Sequence, residues 1–145
     1  MIKSTNELTA QELLTILQAR TAVFVVEQAC PYQEVDEADR DAVHVCLEEN
    51  GELKACARIL TEGDRILFGR VLVVKKYRGQ QLGREIVEKT LKEIEHRYPG
   101  QPVFISAQAH LVDFYRSFGF EQNSEIYLED EIPHIEMLLQ NTANR

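Results

Sequence analysis

The sequence predicts an α+β fold, a mixed sheet with an antiparallel meander, a central parallel pair and flanking helices. Two observations carry that expectation. Three apolar runs, over residues 43–47, 53–60 and 66–74, are punctuated by Asn50-Gly51 and Gly63-Asp64. Asn-Gly is the strongest short hairpin signal, because both central positions of a type I′ turn need positive φ. The run over 66–74 is then followed by an amphipathic stretch and a second apolar run over 103–105. Strand, helix, strand implies a parallel pair joined by a right-handed crossover.

The elements follow in order. Thr9, with Glu12 three residues on, forms a capping box. It opens a helix in which Leu13, Leu14, Ile16 and Leu17, then Arg20, Val23 and Phe24, recur at helical spacing. From Glu27 to Asp41 the chain turns acidic and irregular, with Glu27, Glu34, Asp36, Glu37, Asp39 and Asp41 against Arg40 alone, and Pro31 supports a loop. The three meander strands come next. Leu82, Ile86, Val87, Thr90, Leu91 and Ile94 line one face of a second helix, which Tyr98-Pro99-Gly100 ends. A short helix over 111–118 stops at Gly119, and residues 126–128 and 135–139 are the last strand candidates. The polar tail, 140–145, is expected to fray.

At 145 residues, with 44% hydrophobic and 28% charged residues, the chain reads as one domain spanning 1–145. A net charge of −8 argues against a nucleic-acid partner. No apolar run approaches the roughly 20 residues that span a bilayer, and the first residues carry no apolar signal core. A cytoplasmic location without a membrane partner is the expectation. Cys30, Cys46 and Cys56 lack the close pairing of a zinc or redox motif. No metal is expected, and Cys46 and Cys56 read as buried hydrophobes.

The stretch 77–86, Tyr-Arg-Gly-Gln-Gln-Leu-Gly-Arg-Glu-Ile, joins an apolar strand to a helix start. A helix start offers unpaired N–H groups and the positive end of the macrodipole to an anion. Gly79 and Gly83 let the backbone approach a phosphate closely. Arg70, Lys75, Lys76, Arg78 and Arg84 add five positive charges to a span without an acid. The stretch reads as a pyrophosphate site.

Arg78-Gly79-Gln80-Gln81-Leu82-Gly83 resembles the cofactor signature Q/R-x-x-G-x-G/A of the GCN5-related N-acetyltransferases (GNAT), with Gln81 where the middle glycine usually stands. Phe114-Tyr115-Arg116-Ser117-Phe118-Gly119-Phe120 is similar to the second signature of that family, F-Y-x-x-x-G-F. Gln108 takes the place of an asparagine six residues before that phenylalanine. A closer likeness is to the ElaA-type branch, through 24–28 (Phe-Val-Val-Glu-Gln), 30–33 (Cys-Pro-Tyr-Gln), 69–71 (Gly-Arg-Val), 107–110 (Ala-Gln-Ala-His) and 132–135 (Ile-Pro-His-Ile). In that branch the middle glycine is often absent.

The resemblance implies transfer of an acetyl group from acetyl-CoA to a small-molecule or protein amine. It implies a pyrophosphate held by the N–H groups of Arg78, Gly79, Gln80, Gln81, Leu82, Gly83 and Arg84. Gln81 is unstrained there if its φ is helical, and strained by roughly 1 kcal/mol or more if φ must be positive. It implies a pantetheine arm paired with the main chain of Leu72, Val73 and Val74, with Gln108 and Tyr115 beside the cofactor. An N–H near Val71 or Leu72 would face the developing oxyanion. Tyr115 is the expected proton donor to the departing thiolate. For the base that deprotonates the amine, Glu27 comes first, on the expectation that partial burial lifts its pKa, then His110. His134 follows at a strand start, while His44 reads as structural. The acidic loop over 34–41 is expected to be a solvated surface loop rather than a collar for a cationic substrate. The resemblance leaves open a homodimer through the late strands. A non-catalytic acyl-CoA-binding module is the alternative to an enzyme.

Overall fold

The computed structural model describes residues 1–140, and the frayed tail expected over 140–145 lies outside them from residue 141 onward. A mixed sheet runs in the order β1 (Ile2–Ser4), β2 (Val43–Glu49), β3 (Glu52–Glu62), β4 (Arg65–Val73), β5 (Val103–Gln108), β8 (Ile132–Leu139) and β6 (Glu121–Gln122). β7 (Tyr127–Glu129) also pairs with β8. All pairings are antiparallel except β4 with β5.

The meander forms as expected. Asn50 and Gly51 turn with φ of +53° and +79°, joining β2 to β3. α1 (Ala10–Arg20) starts on its capping box: Glu12 N–H donates to Thr9 Oγ1 at 3.1 Å and Thr9 N–H donates to Glu12 Oε1 at 2.8 Å. Its continuation, Thr21–Glu27, widens into a π-helical run, with Gln28 N–H bonded to the Val23 carbonyl and Cys30 N–H to that of Val25.

α2 (Leu82–Arg97) crosses from β4 to β5 and buries Leu82, Ile86, Val87, Thr90 and Ile94. On this face of the sheet Ile86, Val87 and Ile94 share a core with Val45, Ala57, Ile59, Phe68, Val103, Ile105 and Met137. α1 covers the opposite face, where Ile16 packs with Cys46, Cys56 and Leu72. Burial pushes the Cys46 thiol up to about 12 and the Cys56 thiol higher still, so both stay protonated hydrophobes. α3 (Val112–Arg116) is shorter than the sequence suggests, and its Phe114 and Tyr115 join an edge-to-face aromatic cluster with Phe118 and Phe120.

The acidic loop differs from expectation. Glu34 and Asp39 are buried, and Arg20, Arg58 and Arg70 reach them. Burial works against the Asp39 carboxylate, but its bonds from Arg20, the Asp36 backbone and Arg58 prevail and hold its pKa well below the usual range. The loop is a built-in ion network rather than a solvated strap. His44 fits the structural reading, buried with Nε2 2.8 Å from Thr5 Oγ1.

Candidate active site

β4 and β5 pair only at Ile66–Val103 and Leu67–Phe104. Beyond those pairs β4 runs on to Val73 and β5 to Gln108. The two strands therefore lie side by side at one end and part at the other. A cavity of about 260 Å³ sits where they part, lined by Phe68, Gly69, Arg70 and Val71 from β4 and by Ile105, Ser106, Ala107 and Gln108 from β5. Phe24 and Gln28 close it from the π-helical side, Tyr115 from α3, and Glu129, Asp130 and His134 from the last hairpin.

The glycine turn follows β4. Gly79 takes φ of +86° and Gln81 takes φ of +63°. The turn thus needs positive φ at Gln81, the strained of the two alternatives. No side chain caps α2, which leaves its first N–H groups for an external acceptor. Gly83 has no positive φ, and a Cβ there would stand 4.0 Å from both Phe114 Cζ and Val73 Cγ2.

The five cations of this stretch are largely engaged. Lys76 pairs with Glu52 at 2.7 Å, and Arg70 with Glu34. Arg84 donates to Ser117 Oγ and lies over the Phe118 ring, 4.3 Å from its centroid. Arg78 grips both oxygens of Glu27, at 2.6 and 2.9 Å, and its Nε donates to the Val73 carbonyl at 3.2 Å.

That ion pair overturns one expectation. The hydrogen bond from Arg78 holds the Glu27 carboxyl below its ordinary pKa, the opposite of a lift by burial. Glu27 stands at the phosphate turn and is not among the cavity's lining residues. His110 is exposed in the turn after β5 and does not line the cavity either. Tyr115 does line it, 7% exposed, with its phenol pushed up to about 12 by burial.

His134 is the histidine that the fold brings to the cavity. β8 pairs it opposite Gln108, and it is 7% exposed. Its Nδ1 is 2.7 Å from the Ile132 carbonyl. A carbonyl only accepts, so Nδ1 carries a hydrogen and the neutral ring keeps its lone pair on Nε2. Glu129 Oε2 lies 3.4 Å from Nε2, where it would stabilise the protonated ring. Tyr127 stacks on the ring, and its hydroxyl bonds to Ser106 of β5. Sequence spacing offered no sign of this pairing, because Glu129 and His134 meet across a hairpin.

Among the described residues no helix is long and apolar enough to cross a membrane. The family model for the acetyltransferase (GNAT) domain matches residues 5–140. Protein ElaA of Escherichia coli is 47% identical over 137 residues, covering 91% of this chain and 90% of that one. The crystal structure of an acyl-CoA N-acyltransferase from Pseudomonas aeruginosa superposes with a TM-score of 0.92 at 43% identity, covering 96% of this chain and 97% of that one. The crystal structure of Escherichia coli ElaA gives a TM-score of 0.91 over 97% and 98% of the two chains. With the parted strands, the uncapped helix start and both signatures in place, the chain belongs to the GNAT family of acyltransferases, in its ElaA-type branch.

Proposed function

We propose that this protein transfers an acetyl group from acetyl-CoA to a primary amine by direct attack. The observation that carries the proposal is the parting of β4 and β5 over a cavity that Tyr115 lines, with β4 leading on past it to the uncapped start of α2. Backbone groups left without a partner strand suit an extended chain bearing amides, which adds to a sheet edge as a strand would. Leu72, Val73 and Val74 take the pantetheine arm. The N–H groups of Gly79, Gln80, Gln81, Leu82, Gly83 and Arg84 take the pyrophosphate, joined by the Arg78 guanidinium once it leaves Glu27.

The amine nitrogen attacks the thioester carbonyl carbon, a C–N bond forms and the C–S bond breaks. An alkyl ammonium has a pKa near ~10, so the acceptor must first lose a proton. His134 Nε2 receives that proton, and Glu129 stabilises the imidazolium. We assign this role to His134 rather than to Glu27 or His110 because His134 lines the cavity and they do not. The thiolate leaves towards Tyr115, whose hydroxyl supplies its proton; the second proton of the attacking nitrogen is released to water as the amide forms, and water returns one to the phenol. With its phenol pushed up to about 12, Tyr115 stays protonated throughout a neutral assay. The acidic rim of Glu62, Glu129 and Asp130 favours a cationic acceptor.

The test is turnover of acetyl-CoA against a panel of alkyl amines, polyamines, aminoglycosides and lysine peptides. Tyr115→Phe is expected to lower kcat by about 10²-fold or less, since water can reprotonate a thiolate, and to leave the acetyl-CoA KM nearly unchanged. His134→Gln is expected to lower kcat by about 10²-fold or more at a nearly unchanged acetyl-CoA KM. Binding of CoA without turnover of any amine would favour a non-catalytic acyl-CoA module.

A further inference from the structure

β4 does not run straight past the cavity. Arg58 of β3 faces Gly69, but Cys56 faces Leu72, so Ala57 alone stands opposite both Arg70 and Val71. This is a β-bulge, which bends a strand and re-aims the groups beside it. Arg70 takes φ of +48°. That left-handed conformation carries a penalty for any residue with a Cβ. The pairing of β4 with β5 ends at Leu67, just before the bulge, and the cleft opens along it.

Arg70 is held from outside the sheet. Its Nη2 donates to the Glu34 carbonyl at 2.9 Å and to Asp36 Oδ2 at 3.4 Å, while its Nε stands 2.7 Å from Glu34 Oε2 as an ion-pair contact without hydrogen-bond alignment. Glu34 is itself 4% exposed, and Arg20, the last residue of α1, donates to both its oxygens through Nε at 3.1 and 2.9 Å. Arg20 also grips Asp39 at 2.7 and 3.0 Å. With Arg58 on Asp36 and Asp39, the network joins three arginines to three carboxylates. Burying charge in this way is an inefficient route to stability. What planar, forked guanidinium contacts do provide is fixed geometry.

We propose that Glu34 and Arg70 are positioning residues that clamp the bulge, so that the N–H of Val71 faces the thioester oxygen. The proposal rests on the acyl-transfer reading given above. As the amine attacks, that oxygen gains negative charge and its hydrogen bond strengthens. A bulge released from its clamp presents the N–H out of line. The loss falls on the transition state, while ground-state binding of the donor, made by the rest of β4 and the glycine turn, is spared.

Arg70→Gly removes the clamp yet adopts the same φ without penalty, because glycine has no Cβ. Glu34 keeps Arg20, so no buried carboxylate is left alone. Arg70→Lys keeps the charge but not the Nη2 that bridges the Glu34 carbonyl and Asp36. Two readouts are needed. The first is amide hydrogen exchange over residues 69–73, which is expected to quicken about tenfold or more in Arg70→Gly while the β5–β8 pairs stay protected. The second uses acetyl-CoA and the amine of highest turnover in the panel. There kcat is expected to fall about 10²-fold at an unchanged acetyl-CoA KM, with partial recovery in Arg70→Lys. Unchanged exchange overturns the clamp, as does a fall in kcat matched by an equal loss of donor binding. Exchange that quickens in Arg70→Gly, in a wild type that turns over no amine, keeps the clamp and overturns the acyl-transfer role on which the proposal rests.

Discussion

Gln81 stands where the family's signature usually has its middle glycine, and its φ is +63°. Its side chain makes no capping bond. Gln81→Gly therefore removes a strained contact and no favourable one. A left-handed residue with a Cβ costs about 1–2 kcal/mol. Glycine returns about 0.5–1 kcal/mol of that through the larger freedom of the unfolded chain. The net gain is about 0.5–1 kcal/mol, which raises Tm by about 1–4 °C in a domain of this size. Gln81→Ala keeps the Cβ and the strain, so its Tm should not rise. The backbone N–H survives in both variants, and calorimetry should find CoA affinity within about twofold of wild type. The comparison needs only thermal unfolding of the three proteins under one condition. A lower Tm for Gln81→Gly, or an equal rise in Gln81→Ala, would refute the assignment of strain to this position.

Under the proposed placement of the cofactor, Glu27 would compete with it for Arg78, so Glu27→Gln is expected to tighten CoA binding by about two- to fivefold, the modest scale of an exposed pair. Weaker binding would mean that Glu27 holds Arg78 ready instead. His44 gives a pH prediction. Burial, with Arg20 nearby, holds its pKa below the ordinary value. The unfolded chain then binds the proton more readily than the folded one, so stability is full above about pH 6.5 and is lost as pH falls towards the folded pKa. Denaturant unfolding between pH 7.5 and 5 should show this decline, and His44→Asn should flatten it.

Local signals in the chain were sufficient for much of the fold. The capping box at Thr9, the Asn50-Gly51 hairpin, the period of α2 and the glycine turn each act within a few residues, and each formed as expected. β1 and β6 escaped notice because strands of 3 and 2 residues show too little alternation to register. The ion network escaped for another reason. Arg70 and Glu34 are 36 residues apart, and nothing in the local charge pattern tells a buried carboxylate from a solvated one. Glu27 was misjudged on the same ground, since its partner Arg78 is 51 residues away. Gly69 inside an apolar run was the one available hint of the bulge. The strand, glycine turn and helix start proposed to take the cofactor were legible because they are defined by backbone and glycine. The acceptor side, made of residues that meet across strands, was not.

The most direct test of the central claim is thermal unfolding with and without saturating acetyl-CoA, beside the Arg78→Glu variant and an ADP control. Ligand at about 100 times its Kd adds about 2.7 kcal/mol, a rise of several degrees in a chain of this size. The account predicts that rise for wild type with acetyl-CoA, a smaller one with ADP, and a much reduced one in Arg78→Glu. No shift in a well-folded sample, or an equal shift in Arg78→Glu, would contradict the placement of the cofactor along β4 and the glycine turn.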